Sequence, residues 1–312
     1  MSNKENFYQN LIEKIGKDQI LKDEPLANHT SFKVGGPAYY VVLPKTVDEV
    51  IYTIKTCKEH DMPFYVIGRG SNLLVSDDGY EGTIIKISGD FSDVSIEPFS
   101  IEQDTHLVRA QAGISLDKLA DIIARAGLVG FEFAAGIPGT LGGAVTMNAG
   151  AYGGEIKDCI YRVTALDKDC NAIQLDLDEL ELGYRTSIIQ KEGYIVLEAE
   201  FVFESGDTEE IFDKINDLNN RRKEKQPLEY PSAGSTFKRP VGYYAGKLIM
   251  DSGLQGYTIG GAQVSTKHCG FIINTGDATA KDIYELIGHI KAVVEEKFGV
   301  VLEQEVKMLG KF

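Results

Sequence analysis

Metal ligands, disulfide frameworks and membrane spans are what this chain has least of. Four cysteines, Cys57, Cys159, Cys170 and Cys269, are scattered over 312 residues with no C-x-x-C pair. Such dispersion reads as reduced, mostly buried thiols and not as a zinc or disulfide framework. The five histidines, His29, His60, His106, His268 and His289, fall at no ligand-like interval, so no metal is expected. No stretch approaches the roughly 18 uncharged apolar residues of a membrane helix. The opening MSNKENFYQNLIEKIGKDQI has no apolar centre of a signal peptide. A cytoplasmic protein without a membrane partner is the expectation. A basic surface is also missing: the net charge is −15, which disfavours a nucleic-acid partner.

What is there is glycine. The chain holds 33 of them, gathered in short clusters, and clustered glycine points to close approach between backbone and a ligand. Hydrophobic residues at 43% and charged residues at 25% describe a packed protein of two or three domains. Against the acidic background one basic run, RRKEKQPLEYPSAGSTFKR at 221–239, carries six Lys or Arg and two Glu.

Periodicity predicts an amphipathic helix over 3–20, an extended AYYVVLP at 38–44, and a helix opened by Thr46 and Glu49 and running to about His60. Buried strands are predicted at 63–68, 73–75 and 83–87. Residues 76–206 are strand-rich, with a hairpin turned by DKDCN (167–171) and one helix from Ser115 to the stop at Gly127. Asp207 and Glu210 cap a helix to about Lys225. Helices near Ala245–Asp251 and Thr279–Phe298 follow, then a terminal strand VVLEQEVKMLG. The division expected is 1–75 with 299–312, then 76–206, then 207–298.

Two glycine loops stand out. In YVIGRGSNLLV, residues Gly68, Arg69, Gly70, Ser71 and Asn72 separate two apolar runs, and successive amides in such a turn can receive phosphate oxygens. A Rossmann turn needs a third glycine and a following helix, and here Leu73 and Leu74 begin a strand. The second loop, FEFAAGIPGTLGGAVTMNAGAYGGE at 131–155, has seven glycines among apolar residues. A short helix over 141–148 would offer its first amides to a pyrophosphate, and the apolar side chains suggest a flat cofactor packed against them. No phosphate-binding G-x-x-x-x-G-K-[ST] occurs; GYYAGKL at 242–248 has the wrong spacing.

GYRTS (183–187), PSAGSTFKRP (231–240) and LEQEV (302–306) carry polar residues whose ordinary reading is structural. Together with TSFKVGGPA (30–38), the two glycine loops and AGKLIMDSGLQGYTIGGAQVS (245–265), in this order, they resemble the UDP-N-acetylenolpyruvoylglucosamine reductases over nearly the whole chain. The likeness is to the shorter of that family's two types, because a single helix fills the space before PSAGS.

The resemblance implies an α+β fold: a two-subdomain FAD-binding unit of the vanillyl-alcohol-oxidase (PCMH) type with a separate C-terminal substrate domain. It implies non-covalent FAD, since neither loop holds a His or Cys, with NADPH as reductant. It assigns FAD contacts to Gly68–Leu74 and to Gly136, Ile137, Pro138, Gly139, Thr140, Gly142, Gly143 and Ala144. Arg185, Ser235 and Glu305 match the catalytic positions, with Glu305 expected to be protonated. Tyr184, Lys225, Lys238 and Arg239 fall where a UDP-sugar enolpyruvyl ether would be held. A monomer is expected. A sugar or lactone oxidase of the same fold, or a non-enzymatic nucleotide-sugar binder using 221–239, are the alternatives.

Overall fold

The computed structural model describes residues 3–312; Met1 and Ser2 of the predicted first segment lie outside them. The chain divides into two compact units. The first comprises Met1–Leu21, Val41–Arg69 and Thr83–Arg222, and the second Lys22–Tyr40, Gly70–Gly82 and Lys223–Phe312.

In the first unit, helix α1 (Asn3–Ile15) buries Phe7, Leu11 and Ile15. It ends earlier than the periodicity predicts because Gly16, at φ 99°, turns the chain away. Helix α2 (Val47–Glu59) begins as expected: the Thr46 hydroxyl accepts the Glu49 amide at 3.2 Å. The Glu49 carboxylate, however, accepts the Lys45 amide, one residue before the cap. Strand Phe64–Ile67 pairs in parallel with Thr83–Lys86, and only Ile67 of the four is fully buried. The predicted buried strand is therefore half-exposed.

The largest sheet is antiparallel, in the order Ala172–Asp176, Ile160–Leu166, Ile195–Ser205, Thr105–Gln111, Val94–Ser100, with Leu128–Val129 added to Ile195–Ser205. Its inner face meets helix α3 (Leu116–Arg125), which buries Leu116, Leu119, Ala120, Ile123 and Ala124. Its outer face alternates in charge from strand to strand. Glu97 and Glu200 grip Arg109 at 2.6 and 2.8 Å, and Arg162 grips Asp176 at 2.7 Å. Exposed pairs of this kind contribute about 0–1 kcal/mol each and mainly fix strand register. Further on, helix α4 (Leu141–Thr146), helix α5 (Ile188–Glu192) and helix α6 (Thr208–Lys225) follow, the last opened by Asp207 accepting the Glu209 and Glu210 amides.

In the second unit a four-stranded antiparallel sheet runs Ser232–Ser235, Phe271–Asn274, Ala262–Val264, Thr258–Ile259. Helix α7 (Ala245–Asp251) and helix α8 (Ala280–Phe298) pack on its core. Thr279 and Asp282 form a capping box at the start of α8, Asp77 accepts the Ala280 and Lys281 amides, and Gly299 ends the helix at φ 65°. The predicted terminal strand is shorter than its alternation suggests. Only Lys307–Leu309 is a strand, parallel to Leu73–Val75, and the acidic segment before it makes a single bridge, Gln304 to Phe237.

Candidate active site

Within the first unit the two glycine loops meet. A Cβ on Gly68 would lie 2.1 Å from the Thr140 hydroxyl, so the turn after Phe64–Ile67 sits directly against Pro138–Gly139–Thr140. That contact joins segments some seventy residues apart and admits only glycine at 68. We expect Gly68→Ala to weaken retention of flavin roughly tenfold, with Thr140→Ala, which removes the clashing oxygen, recovering part of it in the double variant. Flavin absorbance after gel filtration measures both.

The second loop departs from the sequence reading in two ways. The first amides of α4 are not available to a phosphate, because Leu141 donates to the Ile114 carbonyl at 2.9 Å and Gly142 to that of Ala112 at 2.8 Å. Its apolar side chains also serve another end. Phe131, Phe133, Leu141 and Val145 are buried in the unit's own core, and Phe131 packs edge-on against Phe133, Phe201 and Phe203. The loop is therefore anchored by protein; Pro138, Gly143, Tyr152 and Gly153 are what it leaves exposed, and a Cβ on Gly143 would approach nothing closer than 3.8 Å.

Arg185 follows from this anchoring. GYRTS is tied to the glycine loop by Ser187, whose hydroxyl donates to the Thr146 carbonyl at 2.7 Å, and by the fully buried Asn148, whose amide donates to the Gly183 carbonyl at 3.1 Å. Arg185 itself is held at φ 57°, donates to the Gly150 carbonyl at 3.3 Å, and stands 5.4 Å from the ring of Tyr184. A non-glycine residue in the left-handed region costs energy that the surrounding bonds must offset.

Within the second unit, Ser235 and Glu305 come together through backbone. The Glu305 amide donates to Thr236 O at 2.9 Å, and the Lys238 amide to Glu303 O at 2.8 Å. Asn72 reaches the same segment, its side chain donating to Glu305 O at 3.2 Å while its carbonyl accepts the Lys307 amide at 3.0 Å. Gly70 is required by contact again: a Cβ there would lie 2.1 Å from His29 O, beside the Ser31 amide that donates to Gly70 O. TSFKVGGPA thus clasps the first glycine loop. Ser235 is exposed and Glu305 half-buried. Lys238 is paired with Glu303, and Arg239 lies over the Tyr244 ring at 4.0 Å. Lys225 is exposed at the end of α6.

A family model described as an FAD binding domain matches residues 38–176, and one described as the UDP-N-acetylenolpyruvoylglucosamine reductase C-terminal domain matches 226–309. A UDP-N-acetylenolpyruvoylglucosamine reductase of Lachnoclostridium phytofermentans is 54% identical over 97% of this chain and 96% of its own length. The chain belongs to the UDP-N-acetylenolpyruvoylglucosamine reductase family. A second relative of that name, from Clostridioides difficile, is 49% identical over 99% of both chains. The solved reductase of Thermus caldophilus superposes with TM-score 0.76 at 34% identity, covering 92% of this chain and 98% of that one. The expected fold class, an α+β FAD-binding fold with its own C-terminal domain, is the one found. The protein is a flavin-dependent oxidoreductase of the reductase family.

The residues present suit FAD. The contact of Gly68 with Thr140 brings two small-residue loops side by side, and the outward face at Gly143 is open. One residue of the reductase's first unit escaped the sequence reading. Arg222, one of the six cations of the basic run at 221–239, is 5% exposed. Its guanidinium occupies the space a Gly136 side chain would need, with a Cβ 1.7 Å from Nη1, and stands 5.5 Å from the Tyr152 ring. Burial pulls its pKa below the usual arginine range. The signal was helical spacing: Ile211, Ile215 and Arg222 are the buried stripe of α6.

Proposed function

We propose that this reductase uses NADPH to reduce the enolpyruvyl double bond of UDP-N-acetylglucosamine-enolpyruvate, giving UDP-N-acetylmuramate for peptidoglycan synthesis, as a monomer in the cytoplasm. What supports the reading most is the near-full-length identity with relatives that bear the reductase name. We assign 1–75 with 299–312 and 76–206 to FAD and 207–298 to the substrate. Gly68–Leu74 and Gly136–Ala144 would hold the FAD. Bound FAD would supply hydride transfer, accepting a hydride from the nicotinamide and delivering it to the terminal enolpyruvyl carbon.

The chain's own residues then manage charge and a proton. As the terminal carbon gains hydride, negative charge moves into the conjugated carboxylate and must be stabilised where it develops. Arg185, planar and always charged, grips that carboxylate. Ser235 gives its proton to the adjacent carbon, completing addition of H₂ across the double bond. A serine is a poor acid, so the acceptor must be strongly basic, and nearby Lys238 and Arg239 ease formation of the alkoxide. Glu305 acts in its protonated form, because a carboxylate would repel the developing charge. Tyr184, Lys225, Lys238 and Arg239 hold the phosphates or the carboxylate of the substrate.

If Glu305 donates a hydrogen bond, Glu305→Gln keeps about tenfold more turnover than Glu305→Ala, since the carboxamide also donates. Equal turnover in the two variants removes proton donation from the account. An anaerobic titration tests the whole reading: NADPH bleaches the flavin, and addition of UDP-N-acetylglucosamine-enolpyruvate restores the oxidised spectrum in a one-to-one ratio. Steady hydrogen peroxide from a simple alcohol, with no response to the enolpyruvyl ether, would favour the oxidase instead.

A further inference from the structure

His268 lies in the turn that joins strand Ala262–Val264 to strand Phe271–Asn274, in the second unit. The turn is built around two side chains. Ser265, 1% exposed, accepts the amides of Lys267 at 3.1 Å and His268 at 3.3 Å. The imidazole of His268 accepts the Gly270 amide at Nδ1, 3.1 Å away. An accepting Nδ1 means that the proton of the neutral ring sits on Nε2. Burial pushes the His268 pKa down, which favours the same neutral form.

The ring is wedged where it is. A Cβ on Gly270 would stand 2.9 Å from Cε1, and one on Gly246, in the first turn of α7, 3.3 Å from the same atom. Phe271 meets the ring edge-on with centroids 4.9 Å apart. Glycine at position 246 of GYYAGKL, at the wrong spacing for phosphate, leaves room for the Gly270 amide, 3.1 Å from such a Cβ, and for the imidazole beside it.

What the turn supports is the segment carrying Ser235. Gly270 O accepts the Thr236 amide at 2.9 Å, Ser235 is the register partner of Phe271, and the Thr236 hydroxyl accepts the Ile272 amide at 3.3 Å. We propose that His268 is a positioning residue for Ser235: by holding the amide of Gly270 it fixes the carbonyl that receives Thr236, and so the direction of the neighbouring serine hydroxyl. This rests on Ser235 as the proton donor. Small displacements of a donor cost rate steeply, to about a hundredfold per ångström, while leaving a half-reaction that needs no proton from it untouched.

The experiment measures the two half-reactions of the FAD-loaded enzyme by rapid mixing, in wild type and in His268→Ala, His268→Asn, Gly246→Ala and Ser235→Ala. An asparagine carboxamide oxygen can accept an amide two residues on, as Nδ1 does here, and alanine cannot. His268→Ala is expected to reduce with NADPH within about twofold of wild type and to reoxidise with the enolpyruvyl ether about tenfold more slowly, at unchanged substrate affinity. His268→Asn should recover most of that loss. Gly246→Ala, which keeps the imidazole but crowds both it and the Gly270 amide it holds, should show the same selective loss at about threefold. Equal losses in His268→Ala and His268→Asn, parallel loss of both half-reactions, or an unchanged reoxidation in Gly246→Ala would overturn the role. Slow reoxidation in Ser235→Ala beside normal reoxidation in His268→Ala overturns this inference alone. Normal reoxidation in Ser235→Ala overturns the proton-donor reading and this role with it.

Discussion

Ser235→Ala is expected to keep flavin reduction by NADPH at the wild-type rate and to slow reoxidation by the enolpyruvyl ether by ~10²–10⁴-fold, the usual contribution of a positioned general acid. The separation is possible because the two half-reactions make different demands. Transfer of hydride from nicotinamide to flavin needs no proton from residue 235, whereas saturation of the double bond does. The substitution is also gentle to the fold. Ser235 is exposed at the end of strand Ser232–Ser235, and its backbone pairing with Phe271 does not involve the hydroxyl. Removing an exposed oxygen leaves neither a cavity nor a buried polar group without a partner, so stability should shift by less than about 0.5 kcal/mol. A variant with normal melting, normal bleaching by NADPH and stalled reoxidation would be hard to explain otherwise. Equal slowing of both half-reactions would take the proton from some other group.

The parts of the fold legible in the sequence were those set by neighbours along the chain. Thr46 and Asp207 cap the helices they are expected to cap; Ser115 holds the expected N-cap position of α3 without a side-chain bond, and Thr279, expected as the first helical residue, is the cap of α8. DKDCN turns its hairpin, with Leu166 opposite Ala172. The glycine loops drew notice for a sound reason, since Gly68 and Gly70 are both required by contacts near 2 Å. What stayed hidden depends on partners far away in sequence. The first amides of α4 look available until the carbonyls of Ala112 and Ile114 arrive, nearly thirty residues earlier in the chain, and consume two of them. Glu305 and Ser235 stand out in two short motifs only through the family resemblance; backbone bonds between segments some seventy residues apart, such as the Glu305 amide to Thr236 O, bring them together. Arg222 shows a different failure. The charge of the run says nothing of burial, and the 3.6-residue spacing of α6 turns Arg222 inward with Ile211 and Ile215.

Asn148 carries the largest stability effect we expect, although no motif singles it out. Its side chain is fully buried and makes three bonds: its amide donates to Glu155 Oε2 at 2.5 Å and to Gly183 O at 3.1 Å, and its carbonyl accepts the Lys157 amide at 2.9 Å. Its backbone sits at φ 42°, a region asparagine tolerates better than other side chains. Asn148→Ala loses all three bonds and puts a Cβ-bearing residue without local hydrogen bonding in the left-handed region. With about 1–3 kcal/mol for each buried group stripped of its partner, discounted for water that enters, the loss should reach about 3–5 kcal/mol. In a protein of this length that lowers the melting temperature by on the order of 10 °C. Asn148→Gly removes the same bonds yet relieves the backbone, so it should melt above the alanine variant by the equivalent of about 1 kcal/mol. Should glycine melt lower than alanine, the backbone part of the argument fails. The effect also reaches the chemistry, because the lost bond to Gly183 releases one side of the turn that presents Arg185. At temperatures where the variant is still folded, substrate-driven reoxidation should therefore fall while bleaching by NADPH persists, and a variant that loses stability alone would show that Ser187 and Gly150 suffice to hold the arginine.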